Sequence, residues 1–421
     1  MAIVPDTRAF LSELFCAAVA AADPYEAIRA NLPQQPKGRT VVVGAGKASV
    51  AMARAFDSLW KGPLEGVVVT KHRTGASCGR IEVVEAGHPV PDAASVEASS
   101  RLLDAVSDLS EDDLVVALIS GGGSSLLALP SDGLTLDDEI AVAKALLASG
   151  APISAMNTVR TQLSKIKGGR LAIAAYPAKV VTLIVSDIPG DDPVLVASGP
   201  TVLSRSTPQD ALGVIERYRL ALPGHVIRHL QEAVTGIDAD HPCFGSNEIK
   251  IIASARASLD AAAALARHRG ITAVVLSDAI EGEASEIAKV HAAIAKEVAR
   301  NDRPFQKPVV MLSGGESTVT LRGKGKGGRN TQFLLSMAIE IADQEDITAL
   351  AADTDGVDGS EDNAGAFVDG FTIGRLRAAG LDPHDLLVSN DAWTGFNASR
   401  DLFVTGPTGT NVNDFRAVLI E

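Results

Sequence analysis

Thr40-Val41-Val42-Val43-Gly44-Ala45-Gly46-Lys47-Ala48-Ser49 is the stretch that decides the fold. Its β-branched opening predicts a buried strand at 40–43, and the alanine-rich segment 48–60 predicts a helix. A strand that runs through a glycine turn into a helix is the unit of a doubly wound sheet, and phosphates bind at such turns. Gly44 and Gly46 are therefore candidate ligand-binding positions. Lys47 sets a positive charge at a helix N-terminus, against the dipole, at a cost of a few tenths of a kcal/mol unless an anion is near.

Outward from this turn the pattern repeats. Strands are predicted at 67–70, 81–85, 114–119 and 180–185, with helices at 93–106, 136–149 and 158–175. The last helix should end or weaken at Gly168-Gly169. Such alternation implies a parallel sheet with right-handed crossovers, so the fold class is α/β. The aperiodic stretch 235–246, with Pro242 and two glycines, marks a domain junction. It gives an N-terminal domain at 1–238 and a C-terminal domain at 239–421. Beyond it, strands at 249–252, 273–276, 309–312, 319–321, 348–351 and 402–404 alternate with helices at 258–268, 284–299 and 331–341.

The 421 residues are 46% hydrophobic but only 4% aromatic, so Ala, Val, Ile and Leu must fill the cores, as suits buried parallel strands. A formal charge of −14 argues against a general nucleic-acid or anionic-membrane surface. Three cysteines without metal-ligand spacing fit a reducing cytoplasm. Residues 1–33 carry Asp6, Glu13, Asp23 and Glu26 among apolar positions, the pattern of one or two amphipathic helices rather than a signal peptide. No apolar run approaches the roughly 18 residues that span a bilayer. The expectation is a soluble, cytoplasmic protein.

Four further glycine turns follow: Ser120-Gly121-Gly122-Gly123-Ser124-Ser125, Ser313-Gly314-Gly315-Glu316-Ser317, Gly323-Lys324-Gly325-Lys326-Gly327-Gly328-Arg329-Asn330, and Thr405-Gly406-Pro407-Thr408-Gly409-Thr410-Asn411. Glycine lets backbone N–H groups approach an anion closely. Helix 331–341 starts where four free N–H groups and the dipole favour an anion. No GxxxxGK[ST] sequence occurs, so an ATP site here is not a standard P-loop. A dinucleotide fingerprint needs a third glycine where Ser49 stands, and an acid where Thr70-Lys71-His72-Arg73 stands. That makes NAD a weak match, although the basic triplet could meet an NADP 2′-phosphate. Asp187 and Asp191 follow a strand end, where carboxylates can hold Mg²⁺ or accept a proton. Asp353, Asp355 and Asp358, with Glu316, form a second acidic set. Arg160 and Lys167 lie on a basic stretch suited to a substrate carboxylate.

In this order the motifs resemble the glycerate 2-kinases whose C-terminal part is the MOFRL domain. The resemblance covers nearly the whole chain. It rests on Gly44–Ala48, Gly87-His88-Pro89-Val90-Pro91, Ser120–Ser124, Asn157…Arg160…Ser164…Lys167-Gly168-Gly169 and Ser186–Asp191. It continues through Ser198-Gly199-Pro200-Thr201, Ser313–Glu316, Gly323–Asn330, Thr354–Gly359 and Thr405–Val412. The resemblance implies a Rossmann-like parallel-sheet domain followed by a MOFRL-type α/β domain with a mixed sheet, and an active site in the cleft between them. It also implies ATP-dependent phosphorylation of the 2-hydroxyl of D-glycerate, with Lys47 and Arg329 as the essential cations.

On that basis Lys47, Arg329 and Asp187 are the expected catalytic residues. Gly44, Gly46, Ser120, Gly121, Gly122, Gly123, Ser124, Ser125, Gly325, Gly327, Gly328 and Asn330 are the expected ATP contacts. Arg160, Lys167 and Glu316 would hold substrate, and Asp187, Asp191 and Asp355 would hold Mg²⁺. The partner is a small molecule, with no nucleic acid or membrane, and the protein a monomer or homodimer. The competing readings are an NAD(P)H-dependent reductase of hydroxypyruvate or tartronate semialdehyde and a non-catalytic nucleotide sensor.

Overall fold

A computed structural model describes residues 6–75, 77–188, 190–233 and 236–421. Two residues named above, Pro189 and Thr235, lie outside that set. The chain forms two compact units, Pro24–Ile252 and, together, Met1–Asp23 with Ala253–Glu421. The division expected after residue 238 does not coincide with these units.

In the unit Pro24–Ile252, six strands lie side by side: β1 (Thr40–Ala45), β2 (Glu65–Lys71), β3 (Ile81–Ala86), β4 (Leu114–Ser120), β5 (Lys179–Ser186) and β6 (Glu248–Ser254). Their order is β3-β2-β1-β4-β5-β6, and the pairs from β3 through β5 are parallel. That is the order of a doubly wound sheet, whose topological switch lies between β1 and β4. β1 and β4 are buried along their whole length, which explains their nearly continuous apolar sequence. β6 is the strand expected to open the second domain, yet it completes this first sheet.

The helix foreseen at 158–175 is two pieces, Ile153–Gln162 and Arg170–Ala175. Gly168 and Gly169 separate them at φ +71° and +103°, a left-handed turn that glycine makes without strain.

The other unit holds β7 (Thr272–Ser277), β9 (Val309–Gly315), β11 (Ile347–Asp353), β12 (Gly365–Asp369), β13 (Leu402–Phe403) and β14 (Asp414–Ile420), in the order β13-β12-β11-β14-β9-β7. Only the β7–β9 pair is parallel, so the sheet is mixed. β8 (Gly282–Glu283) and β10 (Ser317–Thr318) form a separate short ribbon. The strand expected at 319–321 does not form; those residues follow β10 without ladder pairing. β12 and β14 were not foreseen.

The first helix, Thr7–Ala21, turns Phe10, Leu11, Leu14, Phe15 and Ala18 into this unit's core. Phe15 meets Phe403 and Phe415 edge-to-face at 5.1 and 5.7 Å. Each fully buried Leu or Phe contributes about 1.5–3 kcal/mol, so the helix is firmly held by a sheet far along the chain.

Candidate active site

β1 and β4 carry their glycine turns side by side at the switch point, but the two turns differ in what their amides do. Gly44 lies within β1, where a Cβ would strike the Leu118 carbonyl at 2.5 Å. The amides of Gly46, Lys47 and Ala48 donate to Val69 O, Gly121 O and Ser120 Oγ at 3.2, 2.9 and 3.0 Å. Ser49, in place of a third glycine, donates its hydroxyl to Gly46 O and Val69 O. The turn is thus sewn into the sheet, and its amides do not form the nest expected for a phosphate. Gly44 and Gly46 act as packing glycines.

The 121–125 turn is the opposite case. Among the described residues, the amides of Gly122, Gly123, Ser124 and Ser125 make no hydrogen bond beyond those inside the short helix Gly123–Leu126. Gly122 sits at φ +79°, and a Cβ there would lie 2.8 Å from His88 Nε2 and 3.3 Å from Lys47 Cγ. Lys47 is exposed and, among the described residues, its ammonium has no ion-pair partner. The Asp187 carboxylate presses on the same turn: a Cβ on Gly121 would fall 1.6 Å from its oxygen. Lys47, Asp187 and the Gly121–Gly123 backbone therefore lie together. His88 joins them; its motif was visible in sequence, but no role had been drawn from it.

A hydroxyl chain supports the turn. Ser124 Oγ lies 2.8 Å from Ser198 Oγ, which donates to Asn157 Oδ1 at 2.9 Å. Ala197, Ser198 and Gly199 all have positive φ (52°, 60° and 56°), and Ala197 Cβ presses where a side chain on Gly123 would be. Two non-glycine residues held left-handed cost about 1–3 kcal/mol each, strain of the kind found at functional sites.

Beside it, Arg160, Lys167, Ser124, Ser125 and Glu139 line a small cavity with Pro89, Pro91, Val142, Ala143 and Leu163. Lys167 is buried, donates to Leu127 O at 2.6 Å and lies 3.8 Å from Glu139. Burial pushes its ammonium below the usual value, against the pull of Glu139. Arg160 has no carboxylate within ion-pair distance among the described residues, only a long 3.5 Å contact to Asn157 Oδ1. Of the two expected carboxylate contacts, Arg160 is the uncommitted one.

In the other unit, Arg329 opens the helix Arg329–Glu340 and is gripped by three carboxylates. Its Nε, Nη1 and Nη2 donate to Asp414, Glu316 and Asp353 at 2.6, 2.9 and 2.7 Å. Asp414 also pairs with the wholly buried Arg416 and accepts from Ser317. Burial opposes the Arg329 charge, but Asp414, Asp353 and Glu316 outweigh it and push its pKa up. Burial, opposed by Arg329 and aided by Asp355 and Asp414, pushes Asp353 up to about 8. Asp414 goes the other way: burial favours its neutral form, yet Arg416 and Arg329 hold its pKa down. More carboxylates than guanidiniums share this knot, and Asp414 and Asp353 shift in opposite directions, Asp414 toward the ionised form and Asp353 toward the protonated one.

The helix N-terminus does take an anion, as expected, but the anion is internal. Asp358 accepts from the amides of Asn330 and Thr331 at 2.9 and 2.8 Å. Five of the 323–328 amides are likewise engaged: Gly323 with Asn390, Gly325 with Ser389, Lys326 with Asp391, Gly327 with Ser360 and Gly328 with Thr331. The amides of Gly325, Gly327, Gly328 and Asn330, the expected triphosphate contacts, are thus bonded within the protein. Gly325, Gly327 and Gly328 shape the wall of a cavity of about 320 Å³, lined also by Ser317, Val319, Arg329 and Asp353.

The expected metal ligands fare differently. Among the described residues, no group of three or more His, Cys, Asp or Glu side chains is arranged to hold a metal ion. Asp355 Oδ1 accepts from the Val357 amide, and Asp191 lies in a turn at φ +55°.

A glycine turn at the switch point of a doubly wound sheet is where enzymes of this fold class bind their ligands. A family model described as a domain of unknown function (DUF4147) matches residues 10–231, and one described as the MOFRL family matches 309–414. The chain belongs to the glycerate kinase family that carries the MOFRL domain, and it is a kinase. It is 41% identical to a D-glycerate 2-kinase of Thermotoga maritima over 413 residues, 97% of each chain. A crystal structure of glycerate kinase from Thermotoga maritima superposes with a TM-score of 0.89 at 39% identity, over 98% of this chain and 99% of that one. It is also 52% identical to an Agrobacterium vitis protein provisionally named hydroxypyruvate reductase, over 98% of this chain and 94% of the relative. No helix is long and apolar enough to cross a membrane, among the described residues.

Proposed function

We propose that the protein transfers the terminal phosphoryl group of ATP to the 2-hydroxyl of D-glycerate, giving 2-phospho-D-glycerate. The observation that carries this reading is the 121–125 turn, where unengaged amides, an unpaired Lys47 and the Asp187 carboxylate converge. Phosphoryl transfer calls mainly for positioning and charge neutralisation. Amides and a lysine supply both for the anion, and Lys47 and Arg329 are the cations this reading makes essential. Arg160 takes the glycerate carboxylate in the cavity beside Ser124, with Lys167 as a buried second charge. Glu316 is the exposed member of the Arg329 knot and the one a ligand can displace.

Mg²⁺ enters this reading as the partner of ATP, neutralising phosphate charge. Among the described residues no group of three or more ligating side chains forms a cage for it, and in this reading the triphosphate supplies most of its ligands. Asp187 is then the first candidate to complete the complex or to act near the hydroxyl. Three free cysteines suit a reducing cytoplasm.

The name of the Agrobacterium relative favours a second reading, reduction of hydroxypyruvate with NAD(P)H. Against it stands the first glycine turn, whose amides already bond within the protein and leave no pyrophosphate nest. Product analysis by ³¹P NMR after incubation with Mg-ATP and D-glycerate tests the choice. A new phosphomonoester at the 2-position supports the kinase. Loss of absorbance at 340 nm with NADPH and hydroxypyruvate, and no phosphoester, overturns it.

A further inference from the structure

We infer that His88 is the proton acceptor for the substrate hydroxyl. The inference rests on the kinase reading above and goes beyond it by dividing labour between His88 and Asp187.

Three placements carry it. β3 ends at Ala86, and the chain then turns through Gly87-His88-Pro89 to bring the imidazole onto the Gly121–Gly123 backbone. Nε2 and the Lys47 stem crowd the same face of Gly122, at 2.8 and 3.3 Å from one point. A hydroxyl delivered to an anion held by Lys47 and the 122–125 amides therefore arrives beside Nε2. The next residue along, Pro89, lines the Arg160 cavity in which the acid substrate sits, so the imidazole borders both the phosphoryl and the carboxylate positions.

His88 is also chemically uncommitted. The imidazole is half-buried and, among the described residues, has no hydrogen-bond partner. Three other histidines are tied: His72 to Asp92 at 2.6 Å, His225 to Asp138 at 2.7 Å, and His291 to Ser313 and Ile287 at 2.9 Å. A free ring nitrogen beside an anion site has a lone pair to offer. The groups around it are Lys47 and Lys71, the Asp92 carboxylate that pairs with His72, and Asp187 across Gly121. Burial first, then Lys47 and Lys71, hold His88 below the ordinary histidine value, so the ring is neutral at pH 7 and able to accept.

In the step, the substrate oxygen bonds to the terminal phosphorus of ATP, and the bond from that phosphorus to the bridging oxygen breaks. ADP departs with that electron pair. The hydroxyl proton passes to Nε2, and the imidazolium afterwards releases it to solvent. Asp187 keeps the electrostatic role, facing the triphosphate and its cation.

The test is the pH dependence of ADP release from Mg-ATP and D-glycerate, for wild type, His88→Gln and Asp187→Asn, with the His88 ring titrated by NMR in the wild-type protein. The expected wild-type kcat/KM falls on acidification through one pKa that matches the NMR value, below the ordinary 6.5. His88→Gln loses about 10²–10⁴-fold in kcat, keeps KM for ATP within about threefold, and no longer shows the acid limb. His88→Asn, a smaller cut, gives the same flat profile. The inference is overturned if His88→Gln keeps kcat within about fivefold, if the limb persists in both variants, or if it vanishes in Asp187→Asn alone. An NMR titration that places His88 at or above 6.5 also overturns it, without recourse to a variant. Wild-type protein that releases no ADP with glycerate defeats the kinase reading itself, a distinguishable result.

Discussion

Asp358 lies 27 residues beyond Thr331, yet its carboxylate closes the start of the helix that Thr331 helps to open, taking that residue's amide and hydroxyl at 2.8 Å each. The same carboxylate accepts from the Asn330 amide, so one side chain fixes the turn from which Arg329 projects. Asp358→Ala removes the cap and leaves buried donors unpaired. The combined loss is about 2–4 kcal/mol. Asp358→Asn, itself a good capping residue, should lose less than half of that. Urea denaturation ranks the two, and kcat should fall further for Ala than for Asn because Arg329 loses its mooring. Equal stabilities would show that the cap does not matter.

Arg329→Lys tests whether shape or charge matters in the knot. A guanidinium reaches Asp414, Glu316 and Asp353 at once, and an ammonium cannot reproduce that fork. Leaving buried carboxylates unpaired is expected to cost about 3–5 kcal/mol. If Arg329 also serves the phosphoryl group, kcat drops by about 10³ or more. Steady-state kinetics on folded variant decide it, and kcat within tenfold of wild type would remove Arg329 from the mechanism.

Gly122→Ala places a methyl at φ +79° against His88 Nε2 and Lys47. The backbone penalty is about 1–2 kcal/mol, too little to unfold a protein of this size. Activity should nevertheless fall at least tenfold, because both side chains must move. A thermal melt lowered by a few degrees alongside a collapsed kcat is the expected pair of results.

Arg160→Gln removes one charge-assisted hydrogen bond, worth about 1.5–3 kcal/mol. KM for D-glycerate should rise about 10–150-fold, while KM for ATP stays within about twofold. An unchanged glycerate KM would assign the carboxylate to another residue.

His291 predicts a pH effect on stability that has nothing to do with catalysis. Its ring, carried by the helix Ala284–Asn301, is buried against β9 with Nδ1 at Ile287 O and Nε2 at Ser313 Oγ, and burial pushes its pKa down to about 4. The unfolded chain, with an ordinary value near 6.5, binds more protons between those limits. Stability is therefore full above pH 6.5 and declines as pH falls toward 4, by about 3 kcal/mol in total. His291→Gln should flatten that slope in urea titrations at pH 4.5, 5.5 and 7.

The sequence announces what local pattern dictates. The run 40–49 predicts β1, its turn and the helix Ser49–Leu59 because β-branched residues, glycines and alanines each carry a local preference. Lys47 and Arg329 stand out as cations at helix starts. Hidden from that reading is the question of which groups take the amides of glycine turns. The turns at 44–48 and 121–125 look alike, and only the fold reveals that the amides of Gly46, Lys47 and Ala48 are taken by Val69, Gly121 and Ser120. The partners of Arg329 are equally hidden, since Asp414 is 85 residues away and lies in β14, a strand that the charged Arg416 disguises. Strand 248–254 was found but attached to the wrong sheet, because periodicity says nothing about neighbours.

The helix Thr7–Ala21 is synthesised long before β11 and β14, the strands that complete its docking surface. Some four hundred residues must therefore be synthesised while an apolar stripe waits without its mate. Fragments that begin after Asp23 would lack the piece that covers Phe415 and Leu259, and adding that peptide in trans should rescue them.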